Sequence, residues 1–570
     1  MLDTIKGGFR VLVNETLYAA TETRQLLKKR DPGESRVLYH RTLFINTQVA
    51  LLQKQTMELF LGKTAGYKES LFLFGISSIA SRLERICDIL INLDRQAGYL
   101  SDLKFLAPFS PDEYFEVVID GVKKIVPALE RREVSLAIQM GQVEEKLDAL
   151  YAGGFEKIIS ELSMGSGNHG DLVTSLMIIH YLERLGDLLL EIGEKIIYVI
   201  LGEKIKLEQY KALGAGLKAS GREMELGKTG FKSIWGGRSG CRIGVVGNAR
   251  FPREGEADVY DSEDRDHGDI SDVRETVLFK HGPGFKLSRE KEKLELWNAL
   301  RPGLTPEVKA FIPADSHREA TLILEYVPAR NLQTLFMENV PKDAYRGLEL
   351  SLKIMADIWT ETKREQPSSA EFMRQAESRL TESEFLYPEL VKDHCSIGSL
   401  EAPPFSRLIS SLKPVELMAP CPNSMRIHGD FNLSNILFDE NSGEIRVLDL
   451  HRSRENDYVQ DVSVMLVSIL RLPVFKADAR KRLNLAARNT YLFALDFARS
   501  LNDRTFETRL AFGLARSFLS SIRVVLEEKL ARKFVERSRY LMEKIFHHAR
   551  EGKALEDFRL NEEILRIDSD

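Results

Sequence analysis

From residue 1 to about residue 210, apolar positions recur three and four apart over long runs with few prolines. Examples are Val49, Leu52, Met57 and Leu59 through Leu61, then Ile76, Ile79, Leu83, Ile86 and Leu90. That period puts them on one stripe of a helix, so the segment is predicted to be all-helical with this stripe in its core. The pattern also repeats. SRLERICDILINL at 81–93 aligns with HYLERLGDLLLEI at 180–192, an offset of 99 (180 minus 81). More loosely, TQVALLQKQTMELF at 47–60 aligns with GQVEEKLDALYAGG at 141–154. Two helical repeats, 1–104 and 105–210, are the economical reading.

The texture then changes twice. Residues 211–230, KALGAGLKASGREMELGKTG, are glycine-rich with little hydrophobic periodicity and read as a linker. From 231 to 330 short β-type runs (FKSIW, CRIGVV, ETVLFK, ATLILEYV) alternate with turn residues, and over 331–570 helical periodicity returns. A small β-rich lobe ahead of a large helical lobe resembles the outline of a bilobal kinase fold.

Composition narrows the function. The chain has 570 residues, with 80 Lys and Arg against 85 Asp and Glu, a net charge of −5. A general nucleic-acid binder carries a basic surplus to neutralise phosphates, so that class is excluded. Apolar residues at 43% and charged residues at 29% permit a sizeable core and disfavour disordered or disulfide-scaffold classes. Cys87, Cys241, Cys395 and Cys421 are scattered and form no C-x-x-C pair, which points to a reducing compartment, the cytoplasm. The N-terminus lacks the apolar core of a signal peptide. The most apolar stretch, LMIIHYLERLGDLLLEIGEKIIYVIL, carries Glu183, Arg184, Asp187, Glu191, Glu194 and Lys195, so it is predicted to be an amphipathic helix and not a membrane span. Residues 254–272 hold nine Asp and Glu against one Arg and read as a solvated hairpin insertion between two strands, with a metal or protein contact site as the alternative.

The densest chemistry lies in MRIHGDFNLSNILFDENSGEIRVLDLHRSRENDYVQDVSVML, 425–466. Phosphoryl transfer from a nucleotide needs a carboxylate at the acceptor hydroxyl and oxygen ligands that hold Mg²⁺ against the phosphates. Here Asp430 ends the His428-Gly429-Asp430 triplet, Asn435 follows five residues on, and Asp449 closes an apolar strand after a hairpin through Asn441 and Gly443. These residues resemble the aminoglycoside phosphotransferase and choline kinase-like family, with its H-G-D-x-x-x-x-N loop and a following metal carboxylate. The resemblance implies that Asp430 is the catalytic base, that His428 braces the loop, and that Asn435 and Asp449 bind Mg²⁺. Asp457 and Asp461 match the family's paired aspartates, the second supporting the catalytic loop. The turn Glu455-Asn456-Asp457-Tyr458 and the pair Leu450-His451 depart from the family pattern where substrate contacts lie.

The same resemblance places the upstream half of a nucleotide site. A glycine-rich turn at Gly236, Gly237, Ser239 and Gly240 falls between two β runs, where bare backbone can approach phosphates. Lys280 in ETVLFK takes the place of the strand lysine that reaches the phosphates. In the next helix Glu292 shares an i, i+4 line with Leu296 and Leu300, so it is expected to face inward as the lysine's partner, ahead of Glu290 and Glu295. LILEYVPARNL resembles the inter-lobe hinge, where backbone around Glu325 and Val327 would meet the adenine. Gly227-Lys228-Thr229 mimics the end of a P-loop, but Gly221 leaves five intervening residues where that pattern needs four.

In the helical half both repeat helices carry Glu and Asp four apart: Glu84 with Asp88 and Glu183 with Asp187. Such pairs share a helix face and are able to share a cation, or to form solvated salt bridges with Arg85 and Arg184. Glu144 with Asp148 adds a third pair, while the matching stretch of the first repeat, Thr47 to Leu51, has no carboxylate. This half resembles the phosphate-signalling regulator PhoU family, two tandem three-helix bundles with L-E-R-I-G-D helices that bind metal clusters. The expected fold is therefore all-α PhoU-like tandem bundles followed by an α+β, bilobal, protein kinase-like domain.

The function expected from these resemblances is ATP- and Mg²⁺-dependent phosphorylation of a small-molecule hydroxyl, under a PhoU-like regulatory domain linked to phosphate sensing. A transition metal or other cation in the helical half, a phosphate-transport or signalling protein as partner, and self-association through the helical domain accompany that reading. The alternative is a non-catalytic nucleotide-binding regulator. A protein kinase fits less well, because H-G-D replaces H-R-D and no D-F-G or A-P-E occurs.

Overall fold

The computed structural model describes residues 2–61, 66–165, 168–222, 230–233, 241–247, 276–313, 319–338, 341–388, 395–397, 400–473, 476–522, 525 and 527–567. The chain divides into two compact units, Met1–Gly282 with Ile312–Ile323, and Pro283–Phe311 with Leu324–Asp570.

In the first unit, α1 (Leu2–Leu26), α2 (Pro32–Leu61) and α3 (Tyr67–Ala97) form the first helical repeat. After a 3₁₀ turn at Leu103–Phe109, α4 (Pro111–Glu130), α5 (Val134–Ser163) and α6 (His169–Leu201) form the second. The stripe predicted on α3 is the core: Ile76, Ile79, Leu83, Ile86 and Leu90 are fully buried, as are Leu182, Leu185, Leu189 and Ile192 on α6. On α2 the buried line runs through Leu38, Thr42, Ile45, Val49, Leu52 and Thr56. Met57 and Leu61 fall off that line and are 60% and 75% exposed, contrary to the expectation that they belong to the core. Helices α5 and α6 approach closely at two glycines. A Cβ on Gly186 would meet the Glu144 backbone at 3.1 Å, and one on Gly193 would meet the Ala137 carbonyl at 2.7 Å. The first repeat has the buried Cys87 where the second has Gly186. Arg82 on α3 donates to Glu191 on α6 at 3.0 Å and ties the repeats together.

The predicted linker is corrected by the structure. Helix α7 (Leu207–Ala219) takes up its first nine residues, 211–219, and buries Leu207, Tyr210, Leu213, Gly216 and Leu217. Its glycines were read as flexibility; Gly216 instead permits contact, since a Cβ there would lie 2.9 Å from Ile323 and 3.5 Å from Thr321. Strands β1 (Gly230–Ser233), β2 (Arg242–Gly247) and β3 (Val277–Pro283) follow, antiparallel from β1 to β2 and from β2 to β3. Arg242 on β2 donates to Gln209 on α7 at 2.9 Å.

Next along the chain come α8 (Gly284–Leu300), in the second unit, then β4 (Val308–Pro313) and β5 (Glu319–Glu325), whose residues 312–323 belong to the first unit; the strand order of the sheet is β1-β2-β3-β5-β4. Then come β6 (Arg330–Asn331), α9 (Leu332–Met337), α10 (Pro341–Glu361), α11 (Phe372–Leu386), the hairpin β7 (Cys395–Ile397) and β8 (Leu400–Ala402), and α12 (Phe405–Leu417). A run of short strands carries the site: β9 (Met425–Ile427), β10 (Ile436–Phe438), β11 (Ile445–Val447) and β12 (Arg454–Asn456), with β9 paired to β12 and β10 to β11. Helices α13 (Val459–Leu470), α14 (Ala477–Ser500), α15 (Phe506–Ile522) and α16 (Glu528–Arg550) complete the lobe. Under the site Arg509 is buried between Asp457, at 2.5 Å, and Asp503, which also accepts from the Tyr458 hydroxyl at 2.8 Å. Among the described residues no helix is long and apolar enough to cross a membrane.

Candidate active site

The β9–β12 pair fixes the start of the loop 428–435. Both oxygens of Asp461, on the first turn of α13, accept backbone hydrogen bonds from the loop, from His428 and from Gly429 at 2.8 Å each. Gly429 is held at φ +86°, and a Cβ there would strike the Arg452 carbonyl at 2.5 Å, so the tight turn requires glycine. Gln460 donates to the Gly429 carbonyl at 3.0 Å. His428 is fully buried against Trp297 of α8 and Phe431, and burial pushes its pKa down to about 4, so it stays neutral near pH 7. Its Nδ1 accepts from the Asp430 N–H at 3.3 Å. Burial likewise raises Asp461 to about 7, against the two backbone N–H bonds that favour its ionised form.

This loop presents Asp430, whose carboxylate is oriented from two sides. Asn432 donates to one oxygen at 3.2 Å and Arg452 reaches the other at 3.2 Å. Asn435 donates its amide to the Asp430 carbonyl at 3.0 Å, which turns its own side-chain oxygen away from that contact. The Asn435 carbonyl in turn accepts from Leu448 at 2.9 Å, which ties the loop to the segment that carries Asp449. Asp449 was expected on the strand; β11 ends at Val447, and Asp449 sits beyond it in the left-handed region, φ +62°, with one oxygen 3.0 Å from His451 Nδ1. The hairpin read from Asn441 and Gly443 is present, with Gly443 at φ +75° and its N–H on the Asp439 carbonyl at 2.8 Å.

Of the upstream residues, Lys280 is buried on β3, opposite Ile243 of β2. The face of α8 differs from expectation. Its buried positions are Leu287, Glu290, Leu294 and Trp297, whereas Glu292 is exposed. The i, i+4 line from Glu292 ends at Leu300, which is itself 38% exposed, so the apolar residues that guided the assignment mark the wrong side. Glu290 is the carboxylate that α8 turns inward. Glu325 ends β5 and exchanges bonds with Glu307, and the Val327 carbonyl accepts from Ala329 at 2.8 Å. Gly236, Gly237, Ser239 and Gly240, and the acidic stretch 254–272, lie outside the described residues.

In the helical unit the carboxylates of α5 and α6 act on one another. Glu144 is pushed up to about 7 by burial and then by Asp148 and Asp187; Asp148 and Glu183 are raised by burial and then by Asp187. Glu84 is raised by burial and by Asp88. Glu183 pairs with His180 at 3.3 Å and Asp187 with Arg184 at 3.5 Å. Among the described residues no group of three His, Cys, Asp or Glu side chains is placed to hold one ion.

Several site residues escaped the sequence reading. Trp297 donates to Ser453 at 2.8 Å and packs α8 onto the segment after Asp449, while Arg452 and Asn432 hold Asp430. Only the position of Arg452, three residues past Asp449, offered any signal.

A loop carboxylate, an asparagine at plus five and a second carboxylate beyond a β-hairpin define a kinase-like phosphotransferase site. Residues 286–501 match the model of the phosphotransferase enzyme family, and residues 112–196 match that of the PhoU domain. The chain thus joins a PhoU-like helical domain to a kinase-like phosphotransferase domain, and the PhoU match spans only the second repeat. No curated protein matches the chain. Among solved structures it is similar to the phosphate transport system regulatory protein PhoU of Streptococcus pneumoniae, with 20% identity over 36% of this chain and 97% of that one, TM-score 0.33. It is also similar to an aminoglycoside-3'-phosphotransferase of type VIII, with 19% identity over 54% and 97%, TM-score 0.33. A further similarity is to an aminoglycoside phosphotransferase of Streptomyces rimosus in complex with ADP and streptomycin, with 15% identity over 47% and 86%, TM-score 0.27.

Proposed function

We propose that the chain is an ATP- and Mg²⁺-dependent kinase of a small-molecule alcohol, with its PhoU-like half serving regulation linked to phosphate. The observation that carries this reading is the held carboxylate of Asp430, on a loop capped by Asp461 and oriented by Asn432 and Arg452. In the proposed reaction the acceptor hydroxyl oxygen forms a bond to the γ-phosphorus while the bond from that phosphorus to the β,γ-bridging oxygen breaks. The hydroxyl proton passes to Asp430 and ADP leaves. Asn435 and Asp449 offer the hard oxygen donors that Mg²⁺ prefers, and the metal would neutralise phosphate charge. Lys280 and the glycine turn 236–240 would hold the phosphates, with Glu290 in place of Glu292 as the inward carboxylate of α8. Most of the rate enhancement would come from positioning and charge stabilisation.

Asp430→Ala is expected to lower acceptor-dependent ADP release by about 10²- to 10⁴-fold while thermal unfolding stays unchanged. Full activity in that variant would defeat the assignment. The rival, a nucleotide-binding regulator without transfer, draws on the Arg452–Asp430 ion pair, which occupies the oxygen a substrate would use. Nucleotide binding by calorimetry, with no ADP release for any hydroxyl compound, would favour it.

A further inference from the structure

Arg516, on α15, is buried, with 7% of its surface exposed, and its guanidinium lies over the ring of Phe372 on α11, 5.4 Å from the centroid. Its Nε and Nη2 are enclosed and have no hydrogen-bond partner. Enclosing two guanidinium nitrogens without an acceptor is costly in a protein interior, because their three N–H donors have lost water and gained no partner. The carboxylate acting most strongly on Arg516 is Asp430, and it is already shared between Arg452 and Asn432. The other charges acting on Arg516 are all cations: Arg452, Arg379 and Arg454. Arg454 is itself tied to the catalytic loop, through its 3.3 Å bond to Gln460, whose amide holds the Gly429 carbonyl. Arg516 thus lies within electrostatic reach of Asp430 and of Arg452, Arg379 and Arg454, with no acceptor for its own Nε and Nη2.

We propose that the acceptor is an anionic alcohol, whose carboxylate or phosphate group is held by Arg516 with Arg454 while its hydroxyl faces Asp430. The planar fork of arginine matches either oxyanion bidentately, which a lysine would not do, and the bound anion would supply the acceptors that Nε and Nη2 lack. A cationic acceptor would meet like charge at this corner. The inference rests on the reading of Asp430 as the base, and it adds a substrate class to that reading.

The test uses the full chain with ATP and Mg²⁺ and follows ADP release with four groups of alcohols: hydroxy acids such as glycerate, sugar phosphates such as glucose 6-phosphate, neutral polyols and sugars, and cationic amino alcohols such as choline and kanamycin. Turnover confined to the first or second group is expected, and which of the two responds tells carboxylate from phosphate. In Arg516→Met the acceptor KM should rise at least tenfold with the ATP KM unchanged, and Arg516→Lys should recover part of the loss. The same Met variant should melt no lower than the parent, because it removes an unsatisfied buried charge and keeps the contact with Phe372. A lower melting temperature for Arg516→Met would make the residue structural and overturn the proposal. Turnover of neutral or cationic alcohols alone, lost in Asp430→Ala, would overturn it while the kinase reading stands. Anionic turnover that survives Asp430→Ala would instead defeat the base assignment and leave the anion site in place. No turnover with any group would overturn both.

Discussion

Asp461 caps the loop 428–435 much as an N-cap carboxylate closes a helix, by accepting two backbone N–H groups that would otherwise be buried unpaired. Asparagine at this position keeps the shape but turns one acceptor into a donor aimed at a donor. Asp461→Asn is expected to cost about 1–3 kcal/mol in urea unfolding and to lower kcat, since the loop carries Asp430. Gly429→Ala places a methyl 2.5 Å from the Arg452 carbonyl at positive φ, so it should disturb both the loop and the Arg452–Asp430 pair. A large fall in kcat with nucleotide affinity preserved is the expected result. At this scale the sequence singles out Asp430, Asn435 and Asp449 by residue type and spacing alone. It was silent on Arg452, Asn432 and Arg516, because an arginine or asparagine has no intrinsic signature until the fold decides what it faces.

Among the elements, the α3 and α6 stripes were legible because a sustained 3.6-residue period has few alternative explanations. Helix α8 was misread because two leucines on an i, i+4 line suggested a core face, when the burial of Trp297 and Leu294 sets the true rotation and turns Glu290 inward. Helix α7 was missed for a different reason: glycine marks flexibility in isolation and close approach in context, and only the strand opposite Gly216 distinguishes the two. Beneath the site, the Asp457–Arg509–Asp503 cluster should be unforgiving. Arg509→Leu leaves two buried aspartates without their cation and is expected to cost about 3–5 kcal/mol by chemical denaturation. On the α5–α6 face the balance runs the other way. Glu144→Gln removes a carboxylate crowded by Asp148 and Asp187 and should raise the melting temperature at pH 8.

For the whole molecule, three carboxylates with raised values set a pH trend. Glu144, Glu416 and Asp461 each stand at about 7, with burial as the first cause in every case. A group whose pKa is higher folded than unfolded binds its proton more tightly in the native state. Its contribution is greatest below the unfolded value near 4 and is lost as pH rises through about 7. The melting temperature of the full chain is therefore expected to fall between pH 5 and pH 8 in scanning calorimetry; a rise over that interval would contradict the burial of these groups. The order of helical repeats, β-rich segment and helical lobe was readable along the chain. How it divides into compact units was not, since Pro283–Phe311 groups with the C-terminal lobe through α8, a tertiary fact with no local sign.

Helix α7 also bears on how such a chain is inherited. Two proteins joined by a loose tether remain separable, and recombination can exchange either one without disturbing the other. A junction helix that follows α6 after a five-residue break and lays Gly216 against Ile323 and Thr321 is common property of both. A breakpoint inside it would strip Leu213 and Leu217 of their cover and bare the strand beneath, so the fusion is expected to persist as one heritable piece.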